Sequence, residues 1–230
     1  MIEESFALVT PSPHSFEIFI KLFPQYSYKI NYIPYYLPYI QKISQEELDG
    51  KYSNIDKIKL IFIGKQAKRK GLDLFLNAYA KLDIKEKKKL QITVISKFLD
   101  GEINLPQEFI FHKFVNNIQE ELKKNHILIF LSKQEAYGLV LVEAMASGCN
   151  VFTTDHPIQR SICNNRGGWF VNINNLNNIV ETLKLILNSD LSILKNNALN
   201  NIHNFEYDKN PVIVGKKYYN LFKATLEKSF

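Results

Sequence analysis

The sequence predicts a doubly wound α/β fold, in which a parallel β-sheet carries helices on both faces. From residue 58 onward, short apolar runs alternate with segments whose apolar residues recur at helical spacing. The runs are apolar at consecutive positions, which is typical of strands that are buried on both faces. In such sheets, ligands bind beyond the carboxyl ends of the strands. We therefore expect the functional residues directly after the strands.

The apolar pattern places each element of this sheet. The predicted strands cover residues 59–63, 90–95, 109–111, 127–131 and 150–153, and the predicted helices between them cover residues 72–82, 118–124 and 139–147. Gly148 closes the last of these helices, as a left-handed C-terminal residue commonly does. Three further helices are predicted over residues 176–187, 192–204 and 211–227. The basic run at residues 85–89 is predicted to be a solvated turn.

A smaller unit precedes the sheet. Residues 6–10 and 29–33 are predicted strands, and residues 15–23 have helical spacing that ends before Pro24. Residues 35–56 contain prolines and aromatic residues followed by a polar segment, and we interpret them as a linker. We therefore divide the chain into residues 1–56, the small unit with its linker, and residues 57–230, the main domain.

Charge and composition limit the partners. The formal net charge is +6, but no helix-turn-helix, RNP or zinc-finger pattern accompanies it, so no nucleic-acid function is expected. The scattered lysines are typical of a coding bias toward AT-rich codons, and attraction to an anionic membrane surface is the functional alternative. No apolar run reaches the ~18–20 residues of a membrane span, and the N-terminus lacks the pattern of a signal peptide. Cys149 and Cys163 are too few for a disulfide framework or a metal site. The sequence therefore predicts a cytoplasmic protein that can be peripheral at a membrane.

The loop from Gly64 to Gly71 is the first candidate site. It lies between a predicted strand and a predicted helix, and it contains two glycines and four cations, Lys65, Lys68, Arg69 and Lys70. The free amides and the dipole of a helix N-terminus attract anions, and lysines neutralise them. The glycine spacing fits neither a Walker A loop nor a GxGxxG fingerprint. The loop is interpreted as a diphosphate site, with a solvated basic turn as the alternative.

The loop and helix that follow residue 131 form the second candidate site. Glu135 lies in the loop, and Glu143 lies about a turn and a half into the helix among apolar residues. Carboxylates accept hydrogen bonds from vicinal hydroxyls, so the pair suits a sugar and a ribose. Gly138 between them allows a ligand to approach the backbone. The alternatives are a helix-capping role for Glu135 and a surface role for Glu143.

Together these motifs resemble the family 4 retaining glycosyltransferases. The segment from Glu135 to Glu143 resembles the E-x7-E motif of that family, and the Gly64 to Gly71 loop resembles its phosphate loop at the expected spacing. The segments at residues 150–155 and 167–171 resemble its later strands, so that the resemblance covers residues 58–230. It implies the Rossmann-like C-terminal domain of a GT-B enzyme, with residues 1–56 as a remnant of the N-terminal acceptor domain plus the linker.

The resemblance also implies roles for the basic loop. Lys65 and Lys70 would hold the diphosphate of the donor and stabilise the leaving nucleoside diphosphate, next to the backbone at Gly64. The family usually has an arginine where this chain has Lys65, so the bidentate fork is lost there. Members of the family need no metal and no cofactor, and none is expected here.

The same resemblance implies the roles around the second loop. Glu135 would contact the hydroxyls of the transferred sugar, and Glu143 would contact the hydroxyls of the ribose. The backbone around Tyr137, Gly138 and Leu139 would help to hold the sugar and the phosphate. The catalytic set expected from the sequence is therefore Glu135, Lys65 and Lys70.

The expected function is transfer of a hexose, with retention, from a nucleotide diphosphate sugar to a glycan or lipid-linked acceptor. A partner chain or self-association would supply the acceptor domain. The alternative is a nucleotide-sugar-binding module or degenerate fragment without autonomous activity. An unrelated phosphate-binding enzyme such as an epimerase is disfavoured, because the sequence has neither GxGxxG nor a Tyr-x-x-x-Lys pair on a helix.

Overall fold

The computed structural model describes residues 2–53, 55–99, 101 and 103–227 of the chain. The described strands are β1 (Leu8–Thr10), β2 (Ile30–Tyr32), β3 (Ile58–Ile63), β4 (Leu90–Ile95), β5 (Ile110–His112), β6 (Ile127–Phe130), β7 (Asn150–Thr154) and β8 (Gly168–Val171). The described helices are α1 (Pro13–Leu22), α2 (Gln45–Lys51), α3 (Leu72–Ala80), α4 (Ile84–Lys88), α5 (Ile118–Lys124), α6 (Leu139–Ala146), α7 (Pro157–Ile162), α8 (Leu176–Leu187), α9 (Leu191–Asn204) and α10 (Pro211–Glu227).

The large sheet confirms the doubly wound α/β prediction. Its six strands are all parallel, in the order β5-β4-β3-β6-β7-β8. The chain enters at the centre with β3, builds outward through β4 to β5, and then returns to add β6 on the other side of β3. The direction of winding therefore reverses between β3 and β6. In open α/β sheets, this reversal leaves a crevice at the carboxyl ends of the two strands.

Apolar side chains cover both faces of this sheet, because successive residues of a strand point to opposite sides. On β3, Leu60 and Phe62 belong to the core that also contains residues of α3, α8 and α9. Ile61 belongs to the core on the opposite face, which contains residues of α5 and α6. All three side chains are essentially inaccessible to solvent. The apolar runs in the sequence are therefore strands enclosed between two helical layers.

The N-terminal segment folds as predicted into a strand, a helix and a strand. Strands β1 and β2 pair in parallel as a separate two-stranded sheet, and α1 connects them. Ser12 begins α1, where its hydroxyl accepts a hydrogen bond from the amide of Ser15 at 3.1 Å. The C-terminal end of the chain returns to this unit, because the Tyr32 hydroxyl of β2 donates to Asp208 and Asp208 also pairs with Lys217 of α10.

Three short helices differ from the sequence predictions. The stretch interpreted as a linker contains α2, and the predicted turn at residues 85–89 is largely α4. Both helices begin with a capping box, in which the side chains of Ser44 and Glu47, or of Asp83 and Glu86, satisfy each other's backbone amides. Leu48 of α2 is buried against the main domain. The helix α7 was not predicted, and it is capped by His156. None of the helices in the described ranges is long and apolar enough to cross a membrane.

Gly71 fixes the distance between the loops that follow β3 and β6. Its φ of 80° is left-handed, and a Cβ atom there would lie 2.0 Å from the carbonyl oxygen of Leu131. No side chain can be accommodated without moving the backbone of one loop. The close approach of the two loops therefore requires glycine at this position.

We expect Gly71→Ala to destabilise the fold by about 2–4 kcal/mol, because it adds left-handed strain to a backbone clash. Gly50→Ala is the matched control: Gly50 lies in helix α2, and a Cβ atom added there would meet nothing within 4 Å. That change should stabilise the protein by about 0.5–1 kcal/mol, since alanine is the better helix former. Urea unfolding measures both, and equal stability of the two variants would contradict the close approach.

His126 lies where the chain enters β6 and is held in its neutral form. The Nδ1 atom accepts a hydrogen bond from the amide of Lys59 at 2.9 Å, so the ring proton is on Nε2, 3.0 Å from the carbonyl oxygen of Lys51. Burial lowers the pKa of His126 to about 4, and the nearby ammonium group of Lys51 acts in the same direction. A second ring proton would face the Lys59 amide.

Because the folded pKa of His126 lies below the ordinary value, the unfolded chain takes up the proton first as the pH falls. We expect His126 to make its full contribution to the free energy of unfolding above about pH 6.5. That contribution should fall by about 2–3 kcal/mol between pH 6.5 and 4. His126→Asn keeps an acceptor but cannot be protonated, so its unfolding free energy should fall less over this window. Identical pH profiles for the two proteins in urea unfolding would contradict a neutral His126.

Candidate functional site

The two predicted site loops lie side by side at the switch point of the sheet. Their strands, β3 and β6, are hydrogen-bonded neighbours, with Leu60 paired to Ile127 and Phe62 to Ile129. Parallel neighbours end at the same edge of a sheet, so the loop after each strand opens into the same crevice. Residues distant in the sequence are thereby brought into contact, as the ion pair between Lys70 and Glu135 shows.

Polar contacts tie the two loops together. The guanidinium of Arg69 donates to the carbonyl oxygen of Gln134 at 2.8 Å, and the amide of Lys133 donates to the carbonyl oxygen of Arg69 at 3.0 Å. Lys133 also pairs with Asp73, at the start of α3, at 2.6 Å. Arg69, which the sequence marks only as one of the four cations of the basic loop, is therefore a structural connection between the loops.

The basic loop is folded back on itself. The amide of Lys70 donates to the carbonyl oxygen of Gln66 at 2.9 Å, and the amide of Leu72 donates to that of Ala67 at 2.9 Å. Ala67 is fully buried beneath these turns. The stem of Lys70 lies over Gly64, where an added Cβ would be 3.1 Å from Cγ of Lys70. The absence of a side chain at Gly64 therefore leaves space for the Lys70 side chain. The ammonium group of Lys70 reaches Glu135 on the neighbouring loop.

Lys70 and Glu135 form an ion pair where the two loops meet. Their side chains are 17% and 12% exposed, and the ammonium group of Lys70 also lies 5.1 Å from the centre of the Phe130 ring. A cation and a carboxylate are thus held together at low exposure, at the point where the sequence predicts an anion and a sugar. Lys65 lies at the exposed beginning of the same loop.

The N-terminus of α6 forms the next wall of the crevice. Gly138 precedes the helix with a φ of 87°, in the left-handed region, and a Cβ there would approach the Phe130 ring to 3.1 Å. Leu139 begins the helix and is partly exposed. The first amides of a helix have no partner in a preceding turn. The amide of Leu141 donates to the carbonyl oxygen of Gly138 at 2.9 Å, which leaves the amides of Leu139 and Val140 for an anion. Tyr137 is buried, with its ring 4.9 Å from that of Tyr35.

Glu143 lies one turn after Leu139 on the same face of α6. Its Oε1 atom accepts a hydrogen bond from the hydroxyl of Tyr39 at 3.1 Å. Burial raises the pKa of the Glu143 carboxyl, and the Tyr39 hydroxyl partly opposes that rise. Within the described ranges, no cation forms an ion pair with Glu143, and Tyr39 is its only side-chain hydrogen-bond partner. The carboxylate is therefore short of hydrogen-bond donors.

The structure brings together only some of the residues singled out in the sequence, since Lys65 is exposed at the beginning of its loop and the side chain of Glu143 contacts Tyr39. Lys70 and Glu135 are in direct contact, and the Gly138 backbone borders the same crevice. The sequence reasoning missed Tyr39, which belongs to the stretch interpreted as a linker. In the sequence, a Pro-Tyr pair between two apolar residues, Leu37 and Ile40, indicates a turn here, but this pattern does not reveal the contact with Glu143. In the described part of the chain, no group of three His, Cys, Asp or Glu residues is placed to hold a metal ion.

Comparisons of the sequence point to one family. The family model "Glycosyl transferases group 1" matches residues 44–205. A curated relative from Campylobacter jejuni is 27% identical over 141 residues, which are 57% of this chain and 38% of the relative. It is named N-acetylgalactosamine-N,N'-diacetylbacillosaminyl-diphospho-undecaprenol 4-alpha-N-acetylgalactosaminyltransferase. An uncharacterized 41.2 kDa protein in the cps region of Klebsiella pneumoniae is 25% identical over 149 residues, 63% of this chain and 39% of the relative. The chain spans about two fifths of the length of these curated relatives.

Solved structures share the fold at low sequence identity. A mutant of TarM from S. aureus, in complex with Fondaparinux, alpha-GlcNAc-glycerol and UDP, has a TM-score of 0.76 and 17% identity over 96% of this chain and 44% of its own. Anabaena HepE in complex with UDP and glucose has a TM-score of 0.73 and 14% identity over 95% of this chain and 63% of its own. These likenesses show the GT-B type of α/β fold. The family match covers more than half of the sequence, and the chain belongs to the glycosyl transferases group 1 family.

Proposed function

We propose that this chain is the donor-binding part of a retaining family 4 glycosyltransferase, which transfers a hexose from a nucleotide diphosphate sugar. The observation that carries the proposal is the pair of Lys70 and Glu135 at low exposure in the switch-point crevice, beside the N-terminus of α6. A nucleotide sugar offers an anionic diphosphate and a set of hydroxyl groups. These are the two chemistries that this cation and this carboxylate recognise.

Binding of the diphosphate requires a rearrangement of one ion pair. Lys70 would leave Glu135 for the diphosphate, and the carboxylate of Glu135 would then accept hydrogen bonds from the sugar hydroxyls. Lys65 would swing in from the exposed beginning of the loop. The amides at the start of α6, next to Gly138, would complete the anion site.

Catalysis in this proposal is electrostatic. When the bond between the sugar and the diphosphate breaks, negative charge grows on the departing phosphate oxygen. The new bond forms to the acceptor hydroxyl, whose proton passes to that oxygen. Lys65, Lys70 and the dipole of α6 stabilise that charge without rearranging at the moment of reaction. We propose that these groups take the place of a metal ion. Glu143 would hold the ribose.

The acceptor is proposed to be a glycan or a lipid-linked sugar. The name of the Campylobacter relative describes transfer to a sugar on diphospho-undecaprenol, which favours a lipid-linked acceptor for a family member. The cytoplasmic location and the peripheral membrane contact expected from the sequence stay predictions.

We further propose that a partner chain or a second copy completes the acceptor side of the cleft. The N-terminal unit has two strands, and it exposes Phe6, Leu22 and Tyr28 by 69%, 63% and 72%. Exposed apolar groups that cluster on one surface mark an interaction site. A nucleotide-sugar-binding module without its own activity is the competing function, and turnover distinguishes the two.

We expect Lys70→Ala to weaken the binding of nucleoside diphosphates about 10- to 100-fold, because a charge-assisted contact contributes ~1.5–3 kcal/mol. Titration calorimetry with ADP, GDP and UDP measures this, and EDTA should leave the affinity unchanged. Lys81→Ala, which removes the same charge from the far end of α3, is the control. Thermal unfolding of both variants checks that the loops stay folded. Equal affinities of wild type and Lys70→Ala would exclude this diphosphate site, and a strict need for Mg²⁺ or Mn²⁺ would contradict the proposed mechanism.

The 230-residue chain alone is expected to bind the donor and to transfer sugar very slowly or not at all. Orientation of two reactants contributes ~7–11 kcal/mol of barrier lowering, and the opposite wall of the cleft would supply that orientation. The measurement is turnover of a panel of nucleotide sugars by purified, monodisperse chain, with glycan and lipid-linked acceptors. Rapid transfer by a monomer would show that residues 1–56 are a sufficient acceptor side.

A further inference from the structure

Tyr39 places a hydroxyl group on a carboxylate that the sequence assigned to the donor site. The Tyr39 hydroxyl donates to Oε1 of Glu143 at 3.1 Å. The two residues are 104 positions apart, so the chain makes this contact only in the folded state. Tyr39 itself is largely exposed. It is the single side-chain donor that the described chain provides for Glu143.

The backbone holds Tyr39 in place at both ends. Residues 37–40 form a tight turn, in which the amide of Ile40 donates to the carbonyl oxygen of Leu37 at 3.1 Å, and Pro38 occupies the position that favours such turns. Leu37 and Ile40 are both buried in the core beside α6. A turn anchored by two buried side chains leaves little freedom to the tyrosine between them.

Further contacts fasten the segment that follows the turn. The amide of Gln41 donates to the side-chain oxygen of Gln119 at 3.1 Å, and the Gln119 side chain donates back to the carbonyl oxygen of Gln41. The amide of Ile43 donates to the carbonyl oxygen of Ala146, the last residue of α6, at 2.8 Å. The linker is thus attached to α5 and to the last residue of α6.

A carboxylate has two oxygens, which together accept up to about four hydrogen bonds. With Oε1 held by Tyr39, the rotation of the Glu143 carboxylate is fixed, and Oε2 has no side-chain partner in the described ranges. Vicinal hydroxyls bind more favourably to a carboxylate oxygen whose orientation is already fixed, because less binding free energy is then spent on ordering the carboxylate.

We propose that Tyr39 is a positioning residue of the donor site: its hydroxyl orients the carboxylate of Glu143 for the vicinal hydroxyls of the donor's ribose. This inference rests on the proposed function and adds a residue to it. Tyr39 acts through Glu143 and leaves the diphosphate to the lysines. Its removal should therefore affect only ligands that carry ribose hydroxyls.

Tyr39→Phe tests the proposal, because it removes the hydroxyl and keeps the ring. Three ligands are measured by titration calorimetry on the full chain. The first is whichever of ADP, GDP and UDP binds most tightly, the second is the 2′,3′-dideoxy analogue of that nucleotide, and the third is inorganic pyrophosphate. We expect the variant to bind the ribonucleotide about 3- to 10-fold more weakly, as for one lost hydrogen bond. Its affinity for the dideoxy analogue and for pyrophosphate should stay unchanged. Tyr36→Phe, on the same linker and half exposed, is the control.

A second variant separates positioning from loss of structure. In the Glu143→Gln background, Tyr39→Phe should no longer change the affinity for the ribonucleotide, which makes the two changes non-additive. Equal weakening for all three ligands would show a purely structural role. Unchanged binding of the ribonucleotide would show that Tyr39 has no part in ribose binding. Tighter binding would show that its hydroxyl competes with the ribose for Glu143. Failure of the wild-type chain to bind any nucleoside diphosphate would overturn the proposed function, and this inference with it.

Discussion

The pairing of β3 with β6 is the constraint on which the rest of the structure depends. It joins two strands that are distant in sequence and sets the reversal of winding between them. Both loops that carry candidate residues must then leave the same edge of the sheet, and Gly71 allows them to touch. The proposed donor site needs both loops, because one supplies the cation Lys70 and the other the carboxylate Glu135.

The charged groups of the candidate site are satisfied only in part. Lys70 is paired with Glu135, and Glu143 receives a hydrogen bond from Tyr39. A half-buried charge without a partner is costly, so a site suited to an anion and several hydroxyls needs partners of its own before a donor binds. The binding free energy of a donor would then be only the difference between the contacts it makes and the contacts it replaces. In the proposed donor complex, the exchange would also couple the two ends of the ligand, since Glu135 would become free for the sugar when Lys70 turns to the diphosphate.

The sequence was sufficient for the elements that depend on burial. The apolar pattern placed β4 and the helices α5 and α8 at their observed bounds, because a strand buried on both faces is apolar throughout and a helix buried on one face repeats its apolar residues at helical spacing. The apolar pattern did not predict α2 and α4, because these short helices have few apolar residues. Each is instead marked by the capping box at its start. The meeting of the two loops was predictable from the order of strands and helices. The direct pairing of Lys70 with Glu135 was not, since it depends on side-chain direction.

Tyr39 illustrates the part of the site that local patterns cannot reveal. Its role is set by where the linker is fastened, through the burial of Leu37 and Ile40, and these contacts arise only when α5 and α6 are in place. The same linker carries Tyr35 to the ring of Tyr137, next to the start of α6. Two tyrosines from one segment therefore contact both ends of the candidate donor site. Because that segment continues directly from β2, any displacement of the N-terminal unit must either be absorbed between residues 33 and 37 or reach Glu143.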